Sequence, residues 1–170
     1  MQLYGDCHFE GLGMKPDEAI IEKIEHAFVG VTAVGGASLA DCIIANGYES
    51  PESIREAMGK GERADWHRIR DEWIEKYVYV FCFANDIGAK FLLAPYMIWA
   101  VRNAGHSDSS SIDFTIYYLD RVDQEASIVS LLTDNQKGAI RDFLAYMHNQ
   151  RRKHCDQDAV RRAREKWKCA

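Results

Sequence analysis

Several features that mark common functional classes are missing from this 170-residue sequence. No stretch contains the roughly 18 uninterrupted apolar residues that a membrane-spanning helix requires. The N-terminal segment MQLYGDCHFEG does not join a basic region to an apolar one, as a secretion signal does. The sequence therefore predicts a cytoplasmic protein without a membrane span.

Cysteine is present, but not in a pattern that holds a disulfide framework or a metal. The five cysteines are odd in number and form no C-x-x-C motif. Cys7-His8 and His154-Cys155 are adjacent pairs, whereas zinc ligands are usually about two to four residues apart so that both reach one ion. We therefore expect no bound metal and no cofactor.

Motifs of nucleotide binding and nucleophilic catalysis are also absent. Gly36 is followed by Ala37 rather than by the lysine of a phosphate loop. The segment HSDSSSID (106–113) contains nucleophile, base and acid types, but adjacent loop residues seldom converge as a triad does, and no G-x-S-x-G elbow is present. The sequence favours a non-enzymatic protein.

The charge of the chain is divided unevenly between its body and its C-terminus. Residues 149–170 carry eight basic and three acidic residues, a net charge of +5, whereas residues 1–148 carry 13 basic and 23 acidic residues, a net charge of −10. An acidic body attracts basic partners and repels nucleic acid. We predict one helical domain over 1–148, a basic C-terminal helix over 149–170 docked on it, and a basic protein as partner. Nucleic acid is not expected, and the sequence makes no prediction of the oligomeric state.

What the sequence does contain is apolar periodicity of three to four residues, which is typical of helices. Ser38, Ser50, Asp86 and the pair Thr133–Gln136 are expected to cap helices, and the pattern from 63 to 84 predicts one long helix. Pro95 cannot donate a hydrogen bond within its helix, so a kink or break is expected there. The fold prediction is a compact, single, all-α domain of about six to eight helices, one of them kinked at Pro95.

The stretch NAGHSDSSSIDFTIYYLD (103–120) is the candidate binding segment. A serine from 109–111 is expected to accept a backbone N–H of the following helix, and Asp113 falls near the positive end of that helix. The remaining hydroxyls and Asp108 would form a polar rim beside aromatic side chains. The candidate binding residues are Asp108, Ser109, Ser110, Asp113, Tyr96, Trp99 and Tyr117.

Four segments in order resemble an uncharacterised bacterial helical family, a domain of unknown function. They are GGASLADC (35–42), KFLLAPYMIWAVRN (90–103), SDSSSIDFTIYYLD (107–120) and LLTDNQKGAIRDFL (131–144). The resemblance covers about three quarters of the chain, from the first helix to residue 144, and excludes the basic tail. It implies a helical fold and carries no activity, cofactor or catalytic residue.

Two classes of function remain open at this point. The first is a non-enzymatic cytoplasmic protein-interaction domain, with toxin-neutralising immunity proteins as a specific subclass, because acidic surfaces capture basic partners quickly. The second is a small-ligand-binding domain or an enzyme with its pocket beside Pro95 and the 106–113 loop, since pockets between helices are common binding sites.

Overall fold

The computed structural model describes residues 15–47, 49–59, 61–123, 126–149 and 155–168. Within these ranges the chain forms nine α-helices, two short 3-10 helices and no strand, so the predicted all-α class is confirmed. The 3-10 helices are Trp66–Arg68 and Val80–Cys82. The α-helices are α1 (Pro16–Ala27), α2 (Leu39–Asn46), α3 (Pro51–Met58), α4 (Asp71–Lys76), α5 (Asp86–Asn103), α6 (Ser111–Arg121), α7 (Ser127–Leu131), α8 (Asp134–Asn149) and α9 (Gln157–Trp167). No helix in these ranges is long and apolar enough to cross a membrane.

Helix α5 is the central element of the fold. It is apolar nearly all round, and α1, α4, α6, α7 and α8 pack against it. The helix is continuous through Pro95, so the predicted break does not occur, and a kink within the continuous helix stays a prediction. The hydrogen bond lost at proline costs roughly 3 kcal/mol. Thirteen buried residues of α5 offset that cost, because burying one large apolar side chain contributes about 1.5–3 kcal/mol.

The single long helix predicted from 63 to 84 is wrong. The segment forms a 3-10 helix, α4 and a second 3-10 helix, with extended or turn residues between them. Trp66 and Tyr77 are nevertheless buried, so the periodic pattern correctly marks residues that face the core. Tertiary hydrogen bonds help to hold the interruptions: the Trp66 indole donates to the Phe28 carbonyl at 3.0 Å, and the Tyr96 hydroxyl donates to the Tyr77 carbonyl at 2.7 Å.

Most of the predicted helix starts are present. The Ser38 and Ser50 hydroxyls accept the N–H groups of the third residues of α2 and α3. Thr133 and Gln136 exchange reciprocal side-chain to backbone bonds of 3.0 and 3.2 Å at the start of α8. Such exchange satisfies N–H groups that have no partner within the helix.

The predicted cap of α5 is displaced by one residue, from Asp86 to Asn85. The Asn85 Oδ1 accepts N–H groups from both Gly88 and Ala37 at 3.0 Å, so one amide caps α5 and anchors the loop that precedes α2. The backbones approach so closely that a Cβ at Gly88 would lie 2.3 Å from the Ala37 carbonyl oxygen. Gly36 packs closely on the same end of α5, since a Cβ there would lie 2.6 Å from the Ile87 Cβ.

The basic C-terminal helix packs against α6 and α8. Its buried face consists of Ala159, Val160, Ala163 and Trp167. The Trp167 indole donates to the Leu119 carbonyl at 3.0 Å. The Arg162 guanidinium pairs with the Asp120 carboxylate at 2.8 Å. The buried residues of α9 belong to the same hydrophobic core as those of the preceding helices. The division of the chain at 148/149 stays a prediction.

Candidate functional site

The serines of the 103–120 stretch bond chiefly to the end of α4. The Ser109 hydroxyl donates to the Glu75 carbonyl at 2.8 Å, and the Ser111 hydroxyl donates to the Ile74 carbonyl. The Ser107 hydroxyl donates to the Glu75 carboxylate at 3.0 Å. Carbonyls in the last turn of a helix lack partners within that helix. The serine loop therefore closes the C-terminus of α4.

The same loop also starts α6. The expected acceptor from 109–111 is Ser109, whose hydroxyl accepts the Ser111 N–H at 3.3 Å, while Ser110 makes no side-chain cap bond. Asp113 lies in the first turn, as predicted, and its Oδ1 accepts the Asp156 N–H at 2.8 Å. Asp113 thereby joins the start of α6 to the start of α9.

Two of the three aromatic residues assigned to the predicted polar rim are not at the surface. Tyr96 is 1% exposed and Trp99 is 3% exposed, so both belong to the core rather than to a surface site. Asp108 is exposed, and a recognition role for it, for Ser109 and for Ser110 stays a prediction. Pro95 is buried, and a pocket near it and the 106–113 loop stays a prediction. Among the predicted set, Tyr117 lines a surface cavity of the described chain.

That cavity is a surface groove of about 320 Å³ between the second 3-10 helix, α6 and the start of α7, and we call it the aromatic groove. The groove exists because α6 carries apolar side chains on two of its faces. Ile112, Ile116 and Leu119 face the core, whereas side chains three or four positions apart line the groove. Its lining residues are Val78, Tyr79, Phe81, Cys82, Asp86, Phe114, Tyr117, Tyr118, Arg121, Val122, Ala126 and Ile128.

Ring contacts hold the aromatic side chains of the groove in two groups. Tyr79 and Phe114 meet edge to face with centroids 4.5 Å apart, and Phe114 meets Tyr117 in the same way at 5.8 Å. Phe81 stacks on Tyr118 at 4.5 Å and also contacts the buried Tyr96 at 5.3 Å. Phe81 therefore links Tyr118 to the core, while Tyr79 of the other group remains 42% exposed.

Carboxylates surround the tyrosine hydroxyls of the groove. Burial, with Asp113 and Asp156 nearby, raises the pKa of Tyr117, whose hydroxyl donates to Asp156 at 3.3 Å. Burial also raises the pKa of Tyr118, with the charge of Asp86 adding to the effect. Both phenols are therefore neutral at physiological pH and can donate hydrogen bonds.

A second apolar surface lies beside the groove, at the N-terminal end of α5. Val29, Ile87 and Leu131 are exposed and line a shallow cavity there, which we call the apolar patch. Asp86 lines the aromatic groove and Ile87 lines the apolar patch, so consecutive residues connect the two surfaces. Contiguous exposed apolar surface of this kind often marks an interaction site.

Groups suited to metal binding are not assembled in the part of the chain that is described. No three His, Cys, Asp or Glu side chains in it are grouped to hold a metal ion. Cys7, His8 and His154 lie outside the described residues. Burial raises the pKa of Cys42 to about 12 and that of Cys155 to about 11, so both remain protonated thiols near neutral pH.

Several basic side chains of α9 pair with acidic residues, either on α6 or within α9 itself. Arg162 and Lys166 both approach Asp120 on α6. Within the helix, Arg161 pairs with Asp158 at 3.0 Å. This use of positive charge for docking leaves less of it to contact phosphates.

The sequence-based reasoning missed most of the groove. Tyr79, Phe114, Tyr118 and Asp86 were not among the predicted site residues. A signal was present in α6, where Phe114, Tyr117, Tyr118 and Arg121 follow helical spacing on the side opposite the aliphatic residues. The contribution of Tyr79 and Asp86 depends on tertiary packing.

Together, the fold and the site define an all-α domain with an aromatic groove on its surface. A family model with the description "family of unknown function (DUF6714)" matches residues 16–170, and the chain belongs to that family. The resemblance to an uncharacterised family is thereby confirmed, and the match includes the basic tail. The bacterial origin and the individual motifs stay predictions. Comparison with curated proteins and with solved structures finds no match.

Proposed function

We propose that this domain is a non-enzymatic interaction module that binds a basic segment of another protein in the aromatic groove. The observation that carries the proposal is the presence of two ring clusters in one groove, Tyr79–Phe114–Tyr117 and Phe81–Tyr118. Tyr79 is 42% exposed, and the Asp86 carboxylate is among the lining residues. Aromatic side chains dominate the binding energy of many protein interfaces, and rings already packed against one another lose less conformational entropy on binding than free side chains do.

Charge supports a basic partner. The net charge of −10 over residues 1–148 favours encounter with positively charged proteins. Toxins with basic active sites are one such class of partner, and an immunity role in the cytoplasm is the specific form of the proposal. The alternative is a small-ligand-binding domain or enzyme with its pocket near Pro95 and the 106–113 loop. It has less support, because Pro95 is buried and the Ser109 hydroxyl of the loop bonds to the end of α4.

Selection from a random displayed peptide library tests the proposal. The wild-type protein is expected to enrich peptides with a net positive charge. The enriched peptides should bind the Tyr79→Ser and Phe114→Ser variants at least about tenfold more weakly, as is typical for the loss of an aromatic anchor. Circular dichroism melts verify that each variant is folded.

Val34→Ser is the matched control, because Val34 is exposed and does not line the groove. This variant should bind the enriched peptides like the wild type. Enrichment of acidic peptides, or equal loss of binding in the control, would refute the proposal. Competition by small metabolites without any peptide enrichment would instead support the ligand-binding alternative.

A further inference from the structure

We infer that the aromatic groove receives one arginine or lysine side chain of the partner, with the Asp86 carboxylate as its counter-charge. This inference rests on the proposed function and names the chemical group at the centre of the interface. It is carried by two features of the same groove: an exposed ring surface and a carboxylate that lines it.

The ring surface suits a cation. The face of an aromatic ring is electron-rich, and a guanidinium or ammonium group within about 6 Å of its centroid is attracted to it. Edge-to-face packing of Tyr79 on Phe114 fixes the ring orientations while Tyr79 stays partly open to solvent. The chain uses the same contact elsewhere, since Arg70 lies over Trp73 with its guanidinium carbon 4.0 Å from the ring centroid.

The carboxylate is held in place beside these rings. Asp86 is the first residue of α5, and the Ser127 hydroxyl donates to its Oδ2. Its charge reaches the Tyr118 hydroxyl, whose pKa it helps to raise. Asp113 accepts the Asp156 N–H and Asp156 caps α9, and neither lines the groove, so Asp86 is the acid among the described residues that do. Asp86 is therefore the counter-charge that the groove offers to an incoming cation.

One lining residue carries the opposite charge and sharpens the test. Arg121 is exposed at the groove, so it repels a cationic anchor and attracts an anionic one. Removing Asp86 and removing Arg121 should thus change the affinity for a cation in opposite directions. An apolar anchor would respond to neither change, and an acidic anchor would respond with both signs reversed.

The experiment uses acetyl-Gly-Ser-Xaa-Ser-Gly-amide peptides in which Xaa is Arg, Lys, Leu or Glu. Binding to the whole chain is followed by shifts of the amide proton and nitrogen resonances of groove residues. The Arg and Lys peptides should cause saturable shifts, with affinity about two- to fivefold above that of the Leu peptide. The Asp86→Asn variant should lower that affinity by about two- to fivefold, and Arg121→Gln should raise it.

Asp134→Asn is the matched control, because Asp134 is the first residue of α8, as Asp86 is of α5, and does not line the groove. It should leave the affinities unchanged. The inference fails if the Leu or Glu peptide binds as well as the Arg peptide, or if Asp86→Asn has no effect. Should the library-selected peptides still depend on Phe114 in that case, the proposed function stands without this inference. If they do not depend on Phe114, the proposed function fails independently.

Discussion

The hydroxyl of Ser109 donates a 2.8 Å hydrogen bond to the carbonyl of Glu75, across 34 positions of sequence. The contact places the serine-rich loop directly on the end of α4. The loop resembles an active site in composition, yet its hydroxyls close one helix and start another. Its chemistry is therefore that of helix termini, where unpaired backbone groups require side-chain partners.

Replacing Ser111 with alanine should destabilise the protein by about 1–3 kcal/mol, the usual cost of a buried polar group without a partner. Ser111 is 1% exposed, and its hydroxyl is the donor to the Ile74 carbonyl. Urea denaturation monitored by circular dichroism measures the change. Ser110→Ala is the control, since Ser110 is exposed and makes no side-chain cap bond. Equal losses in the two variants would show that the α4 contact is unimportant.

Replacing Gly88 with alanine should destabilise the fold by about 1–3 kcal/mol or more, because the added methyl group overpacks a backbone contact. That Cβ would lie 2.3 Å from the Ala37 carbonyl oxygen. Gly138→Ala, within α8, should instead stabilise the protein by up to about 1 kcal/mol, since alanine is the better helix former. Nothing nearer than 3.8 Å meets the Cβ there. Thermal melts of both variants test this contrast, and a stabilising Gly88→Ala would contradict it.

Glu62→Gln should raise the melting temperature at neutral pH. Burial raises the pKa of Glu62, so the native state binds its proton more tightly than the unfolded chain does. The stability contributed by this group is present below the unfolded pKa of about 4.3 and is lost as the pH rises through the folded value. Glutamine stays neutral and keeps an oxygen for the Leu39 N–H, which Glu62 accepts at 2.7 Å. The advantage should vanish at acid pH.

Glu49→Gln is the control, because its effect on stability at neutral pH should have the opposite sign. Hydrogen bonding and pairing with Lys76 lower the pKa of Glu49, so its contribution is present above the unfolded pKa and is lost as the pH falls through the folded value. Melts from pH 3 to pH 8 should show the two variants diverging from the wild type in opposite directions. A loss of stability for Glu62→Gln at neutral pH would count against the burial argument.

Trp167→Ala should cost about 3–5 kcal/mol, as is usual for truncating a large buried aromatic side chain. The indole is 1% exposed and donates to the Leu119 carbonyl. Trp167→Phe keeps most of the packing and loses only the donor, so a smaller cost is expected. Chemical denaturation of both variants measures the difference. If neither variant changes the midpoint, α9 does not contribute to the core in solution.

The all-α class and most helix starts could be predicted from the sequence alone, because hydrophobic periodicity and helix capping are local properties. Ser38, Ser50 and the Thr133–Gln136 pair cap helices as predicted, since each bond joins residues about three positions apart. The same local reasoning failed between 63 and 84. There, the apolar pattern shows which residues face the core. It does not show whether those residues belong to one long helix or to several short helices.

The aromatic groove was decided by tertiary structure. Tyr117 was predicted as a site residue, but Tyr96 and Trp99 were assigned to the surface although packing buries them in the core. Many different arrangements of neighbouring helices can bury an apolar helix. The sequence alone therefore does not show which of its aromatic residues stay exposed to solvent. Tyr79 reaches Phe114 across 35 positions of sequence. Only the packing of α6 against the second 3-10 helix brings those rings together beside Asp86.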